Sequence, residues 1–169
     1  MATRPGPRTH PCRVGAVDAD ARDWVLVTDR PLELERLVEW ATRDDCGAVV
    51  SFIGTVRNSS THGHDVIALE YESDESLAVP RIEAVLAEAR VRWPEAVTLG
   101  AHHRTGLVAL GGTTVAVVAA SPHRTAAFEA ARFLIDAVKR TVPMWKREIW
   151  EGGSAWSEEA VPILDVDAL

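Results

Sequence analysis

Apolar residues recur along this chain with two different periods, and the changes of period mark its elements. Trp24 to Val27 is a short extended run. Leu34, Leu37, Val38 and Ala41 then fall three and four positions apart, the spacing of one face of a helix, and Asp29-Arg30-Pro31 ahead of them offers a cap and an early-turn proline. GAVVSFIGTV (47 to 56) is β-branched and apolar at consecutive positions, which predicts a strand buried on both faces, and the polar, glycine-containing RNSSTHGHD follows as a loop. VIALEYE (66 to 72) is the next strand. From Asp74 to Trp93 the positions Leu77, Ile82, Val85, Leu86 and Ala89 mark a second helix, with Pro80 acceptable in its first two turns and Pro94 helping to end it. VTLGAHHR (97 to 104), a Thr105-Gly106 turn, LVAL, a Gly111-Gly112 turn and TTVAVVAAS (113 to 121) read as consecutive antiparallel neighbours. Ser121-Pro122 offers an N-cap and an N1 proline for a helix carried by Ala127, Phe128, Ala131, Leu134, Ile135 and Val138 to about Val142, where Pro143 stops it. MWKREIW, a Gly152-Gly153 turn and an acidic tail close the chain.

The order βαββαβββα with a final strand contains runs of consecutive strands, which indicates an α+β fold rather than a doubly wound parallel sheet. Residues 1 to 22, rich in Pro, Arg and small residues without periodicity, read as a flexible N-terminal extension. Residues 23 to 156 read as one folded domain, and 157 to 169 as a C-terminal tail. At 169 residues, 47% hydrophobic and 25% charged, the chain is that of one ordinary globular domain. No apolar stretch reaches the roughly 18 residues needed to span a bilayer, and the N-terminus lacks the apolar region of a secretory signal, so the expected location is the cytoplasm, away from the membrane. Cys12 and Cys46 form no CxxC pair and read as free thiols. A net charge of -7 argues against nucleic acid as a partner. Between Ser121 and Glu148, however, six Lys or Arg face three acids. This basic island is either a solvated helix face or a pocket for a small anion.

Phosphate loops, dinucleotide fingerprints, nucleophile elbows and HExxH are absent from the sequence, which turns attention to that island. Ser121-Pro122-His123-Arg124 opens a helix, where free backbone N–H groups, an imidazole and a guanidinium suit a phosphate, although Ser121 alone would also serve as a plain cap. Arg57 opens the loop after the 47 to 56 strand, as either a ligand-binding or a surface arginine. Lys139 sits near the helix C-terminus, where the dipole favours a lysine on structural grounds. Lys146, between Trp145 and Trp150, has an aromatic surround that can desolvate an ammonium toward acid–base work or can be ordinary packing. Arg124 and Lys139 are fifteen positions apart on one helix, roughly 22 Å along its axis, so one small substrate reaches both only if a second copy contributes its His123 and Arg124. A metal-dependent hydrolase built on His62, His64 and His103 is one alternative. A non-catalytic dimeric module that binds a phosphorylated ligand is another.

The pieces GAVVSFIGTVRN, LEYES, HHRTGLVALGG, SPHRTAAFEAARFLIDAVKRTVPMWKRE and GGSAW, in this order, resemble the MoaE family, the large catalytic subunit of molybdopterin synthase, over about residues 23 to 156. The resemblance implies an α/β hammerhead with a mainly antiparallel sheet and a smaller β subdomain. It further implies a homodimer forming a heterotetramer with a small ubiquitin-like, MoaD-like subunit bearing a C-terminal thiocarboxylate. That tail's sulfur is transferred to cyclic pyranopterin monophosphate to build the molybdopterin dithiolene, with no cofactor or metal of the chain's own. By motif position, Lys139 and Lys146 would be the catalytic lysines. Arg57, His123, Arg124 and Arg147 would bind substrate, and Phe52 and Ile135 would line the pocket. Met144 stands where a larger apolar residue is common, and SDESLAVP departs from the usual version of its segment.

Overall fold

The structure is a computed structural model that describes residues 18, 20–59, 63, 65–157 and 164–168. His62, His64 and Cys12, with most of the proposed N-terminal extension and tail, lie outside the described residues. The β-branched and alternating runs form β1 (Asp23–Thr28), β2 (Ala48–Thr55), β3 (Val66–Glu72), β4 (Thr98–Arg104), β5 (Gly106–Ala109), β6 (Thr113–Ser121), β7 (Trp145–Trp150) and β8 (Gly153–Trp156). The runs of helical spacing form α1 (Leu34–Ala41), α2 (Glu75–Arg92) and α3 (Arg124–Thr141), and a short 3₁₀ turn covers Val166–Ala168. The strands pair into two four-stranded sheets, ordered β1-β4-β6-β2 and β5-β3-β7-β8. Among the described residues only β1 and β4 run parallel and the other pairings are antiparallel, in keeping with the α+β reading.

The first sheet is covered on both faces. Alternate residues of β4 and β6, Leu99, Ala101, Val115, Val117 and Ala119, join Ile82, Val85, Leu86, Leu134 and Val138 of α2 and α3 in the main core. Their neighbours Ala116 and Val118 face the other way, onto Trp24, Leu37 and Ala41. This period-two division explains why β6 reads as continuously apolar: each of its faces has a core of its own. Asp74 caps α2, its side chain accepting from the Ser76 N–H at 2.9 Å, and Pro80 sits exposed in the second turn. Arg90 at the other end ties α2 to the start of β1 through Asp23 and the Arg22 and Ala96 carbonyls.

Four expectations are corrected. β2 is an edge strand rather than a strand buried on both faces, and Phe52 and Ile53 are 39% and 42% exposed. β5 is not a neighbour of β4 and β6; it crosses to pair with β3, so the run of three strands is divided between the sheets. α1 begins at Leu34 behind Glu33, and Asp29 does not cap it. α3 begins behind His123 rather than Ser121, because β6 continues through Ser121, whose register partner is Ala48. Ladder pairing outweighs the capping pattern here, and the buried Ser121 hydroxyl is left without a partner. The same crossing needs Gly47, since a Cβ there would lie 2.7 Å from the Pro122 carbonyl oxygen.

Candidate active site

The second sheet places Lys146. In the register of β3 with β7, Tyr71 lies opposite Lys146 and Leu69 opposite Glu148, so these four side chains share one face. Glu148 is 4% exposed, and its Oε1 lies 3.3 Å from Lys146 Nζ. A buried carboxylate beside a lysine holds the ammonium in place. The other carboxylate oxygen, Oε2, is buried without a partner. An unmatched acceptor of this kind is costly to maintain, and such costs concentrate at functional sites.

Lys139 arrives from the other sheet's helix. It is exposed near the C-terminal end of α3, one turn beyond the buried Ile135. His103 of β4 links the two lysines. Its ring packs edge-on against Tyr71 with centroids 5.2 Å apart. Burial, against the opposing pull of the Arg104 carbonyl and helped by the positive charge of Lys139, pushes the His103 pKa down to about 4. His103 is therefore neutral at physiological pH. Its Nδ1 lies 2.9 Å from that carbonyl, which assigns the proton to Nδ1. Burial raises the Tyr71 phenol above its usual value and the Glu148 charge adds to this, while Thr114 and the Lys146 ammonium pull it back. Lys139, His103, Tyr71, Lys146 and Glu148 thus form one chain of charge and ring contacts. It joins both expected lysines to three groups that the sequence reading did not assign to catalysis. Glu148 and Tyr71 stand inside the matching pieces of sequence without a role, and His103 enters there only as a candidate metal ligand.

The remaining expected residues divide into three places. Phe52 lies on the half-exposed edge strand β2, and Arg57 is exposed just beyond it, where Val56 bonds to Gly111 and Gly112. His123 and Arg124 are exposed at the N-terminal end of α3, at the far end of that helix from Lys139. The fold therefore does not bring Arg124 and Lys139 together within one chain. Arg147 is on the opposite face of β7 from Lys146, ion-paired to Glu70 and lying over the Trp156 ring at 5.5 Å. Of the two histidines expected to point apart, His102 packs on Trp24 across the first sheet from His103, and burial lowers its pKa to about 4 as well. A cavity of about 110 Å³, lined by Trp24, Leu26, Arg30, Arg36 and His102, opens on that far face and takes no part in the lysine cluster. Cys46 has its thiol pKa raised, chiefly by burial and then by Asp45, so it is not an activated nucleophile. Among the described residues no helix is long and apolar enough to cross a membrane.

Comparison with known proteins gives a consistent result. Residues 27–141 match the family model described as MoaE protein. The molybdopterin synthase catalytic subunit of Bacillus subtilis (strain 168) is 38% identical over 130 residues, covering 77% of this chain and 82% of that protein. Molybdopterin synthase catalytic subunit 1 of Aedes aegypti is 36% identical over 139 residues, covering 80% and 89%. The crystal structure of molybdopterin synthase from Staphylococcus aureus superposes with a TM-score of 0.74 at 33% identity, over 79% of this chain and 96% of that one. A chain from the complex of subunits 1 and 2 of molybdopterin-converting factor from Helicobacter pylori shares the fold, with a TM-score of 0.67 at 22% identity over 85% and 95%.

Proposed function

This chain belongs to the MoaE family, and from that premise we propose that it is the catalytic subunit of a molybdopterin synthase, an enzyme of molybdenum cofactor biosynthesis. The reaction we assign is sulfur transfer from the thiocarboxylated C-terminus of a small ubiquitin-like subunit to cyclic pyranopterin monophosphate. The observation that carries this reading is the convergence of Lys139 and Lys146 on one cluster around His103 and Tyr71. In each transfer the thiocarboxylate sulfur attacks a pterin carbon, a C–S bond forms as a C–O bond breaks and the departing oxygen takes a proton, and water then cleaves the acyl C–S bond to the partner, which leaves with a C-terminal carboxylate while the sulfur stays on the pterin. A lysine ammonium is suited to give that proton and to offset the negative charge that develops. The nucleophile comes from the partner, which agrees with Cys46 not being activated. Arg57, His123 and Arg124 offer cationic donors for the cyclic phosphate. The length of α3 supports a homodimer in which one copy's His123 and Arg124 serve the other copy's Lys139, giving a heterotetramer with two small subunits. We place the reaction in the cytoplasm. Phe52 and Ile135 we assign to the pocket wall, and Arg147, held on the other sheet face, to the approach of the partner rather than to the reacting atoms.

The hydrolase alternative is disfavoured at His103, whose Nδ1 is committed to the Arg104 carbonyl and whose surroundings include the Lys139 charge. A cation would be repelled there. The deciding experiment mixes this chain with a thiocarboxylated small subunit and cyclic pyranopterin monophosphate and assays molybdopterin. Product is expected, and it persists in EDTA. No product from folded proteins would end the proposal, and full activity of Lys139→Ala would favour the non-catalytic binding module.

A further inference from the structure

Only Val142, Pro143 and Met144 separate the helix that carries Lys139 from the strand that carries Lys146. Whatever fixes this connection fixes the two lysines relative to each other. A helix leaves its last carbonyls without partners of its own, and Pro143 has no N–H with which to continue the ladder. The Val142 N–H still bonds back to the Val138 carbonyl at 3.0 Å. Beyond that point the carbonyls are held from outside the helix. Arg81 donates through Nη1 to the Thr141 carbonyl at 3.2 Å, and the Ser73 hydroxyl donates to the Pro143 carbonyl at 2.8 Å. The Leu164 N–H donates to the Arg140 carbonyl at 3.0 Å, and Arg81 grips that segment as well, through the Leu164 carbonyl at 3.1 Å and the Asp165 carboxylate at 3.6 Å.

We propose that Ser73 and Arg81 are positioning residues for the reaction, clamping the connection at Thr141 and Pro143 so that Lys139 and Lys146 keep the spacing that turnover needs. This deepens the proposed function and rests on it. Both residues come from one short stretch, where β3 passes into α2. β3 is also the strand that pairs with β7: Tyr71 is in register with Lys146 and Glu72 with Trp145, and Ser73 extends that contact past the last pair to Pro143. α2 packs against α3 in the main core, with Ile82 and Val85 beside Leu134 and Val138. The junction therefore touches the end of one lysine's helix, the connection, and the strand of the other lysine. Two groups acting on one substrate must be placed closely, and a displacement of about 1 Å can cost up to ~10²-fold in rate. Arg57, His123 and Arg124, assigned above to the phosphate, stand on other segments, so a loosened clamp spares substrate binding.

Ser73→Ala removes one hydrogen bond and no charge. In the full chain assembled with a thiocarboxylated small subunit, kcat per folded molecule should fall about tenfold with KM within about twofold, while Ser73→Thr, which keeps the hydroxyl, should stay within about threefold of the parent. Arg81→Met keeps the apolar stem and releases the Thr141 carbonyl, and it should give the same split by a second route. Lys139 and Lys146 are the only lysines of the chain, so ¹⁵N-lysine labelling yields two backbone amide signals, one on each side of the connection. Both should move in Ser73→Ala, a readout that requires no turnover. Added to Lys146→Ala, Ser73→Ala should lower the residual kcat by less than about twofold, because no pair remains to be spaced. If the parent chain makes no molybdopterin but the two signals move, the assigned reaction fails and the clamp stands. Unmoved lysine signals overturn the clamp, as does a kcat within about twofold of the parent in either variant, or a Ser73→Thr as slow as Ser73→Ala. A fall of about tenfold repeated in the Lys146→Ala background overturns it too, because a merely structural role would give that result.

Discussion

Acid should unfold this protein well before its carboxylates are all neutralised, and two histidines set the size of the effect. His102 is 2% exposed and His103 7%, and burial lowers the pKa of each to about 4 from an ordinary 6.5. The folded-state values are depressed, so below pH 6.5 the unfolded chain takes up protons that the folded chain refuses. Stability contributed by the neutral rings is complete above about pH 6.5 and drains away as pH falls toward 4. Between pH 7 and pH 5 the linkage amounts to about 2 kcal/mol for each ring, or roughly 4 kcal/mol together, a large share of the ~5–15 kcal/mol typical of a domain. Urea unfolding at pH 7, 6 and 5 measures it. His102→Phe, which keeps an aromatic ring beside Trp24, should remove about half of the histidine contribution while leaving that of every carboxylate in place. The difference between parent and variant therefore isolates one proton. A parent and a His102→Phe variant that lose equal stability between pH 7 and pH 5 would refute the reasoning.

Lys139→Ala and Lys146→Ala should each lower turnover by about 10² or more, but they should part company in thermal unfolding. Lys139 is exposed and its loss should leave Tm almost unchanged, whereas Lys146→Ala strands the buried Glu148 carboxylate and costs a few kcal/mol, recovered in Lys146→Met/Glu148→Leu without recovery of activity. Leu134→Ala empties a fully buried position between α3 and the first sheet. It should cost ~2–5 kcal/mol, seen as a drop in Tm of about 5–15 °C with kcat per folded molecule preserved. Gly47→Ala drives a Cβ against the Pro122 carbonyl, and a loss of about 1–3 kcal/mol by urea titration is expected; a neutral result would mean that the strand and the turn before α3 separate freely.

What the sequence discloses about this protein depends on how local each determinant is. α3 is plain in the spacing of Leu134, Ile135 and Val138, because its periodicity lies within the helix itself. Its first residue is not, because the cap pattern Ser121-Pro122 competes with a ladder partner, Ala48, from a distant part of the chain. β2 looks central because GAVVSFIG carries apolar residues on both faces; only the strand order reveals that one edge has no neighbour. Its exposed Phe52 and Ile53 are therefore surface that a partner can cover. The placement of β5 is likewise a property of the sheets rather than of four residues. The lysines were legible through one continuous block of sequence. Tyr71 and His103 belong to other strands and reach that block only through the β3–β7 register and a ring contact, neither of which has a sequence signal. Glu148 was visible as a letter in the motif, but its burial, and hence its hold on Lys146, was not.

The helix that carries Arg124 at one end and Lys139 at the other also acts as a ruler. Inserting a single residue between them would move Lys139 by only about 1.5 Å along the axis but by about 100° around it. An insertion would carry the lysine to the exposed place of Arg140 and set Val138 in the place of the lysine, and a deletion would turn the lysine into the buried place of Val138, so either change takes the ammonium from the site. Side chains on the outer face, Arg132 and Asp136 among them, can change without disturbing this relation, but the number of residues cannot. α3 should therefore tolerate substitution while forbidding insertion and deletion, so that designers or natural drift can recolour its surface but must keep its count.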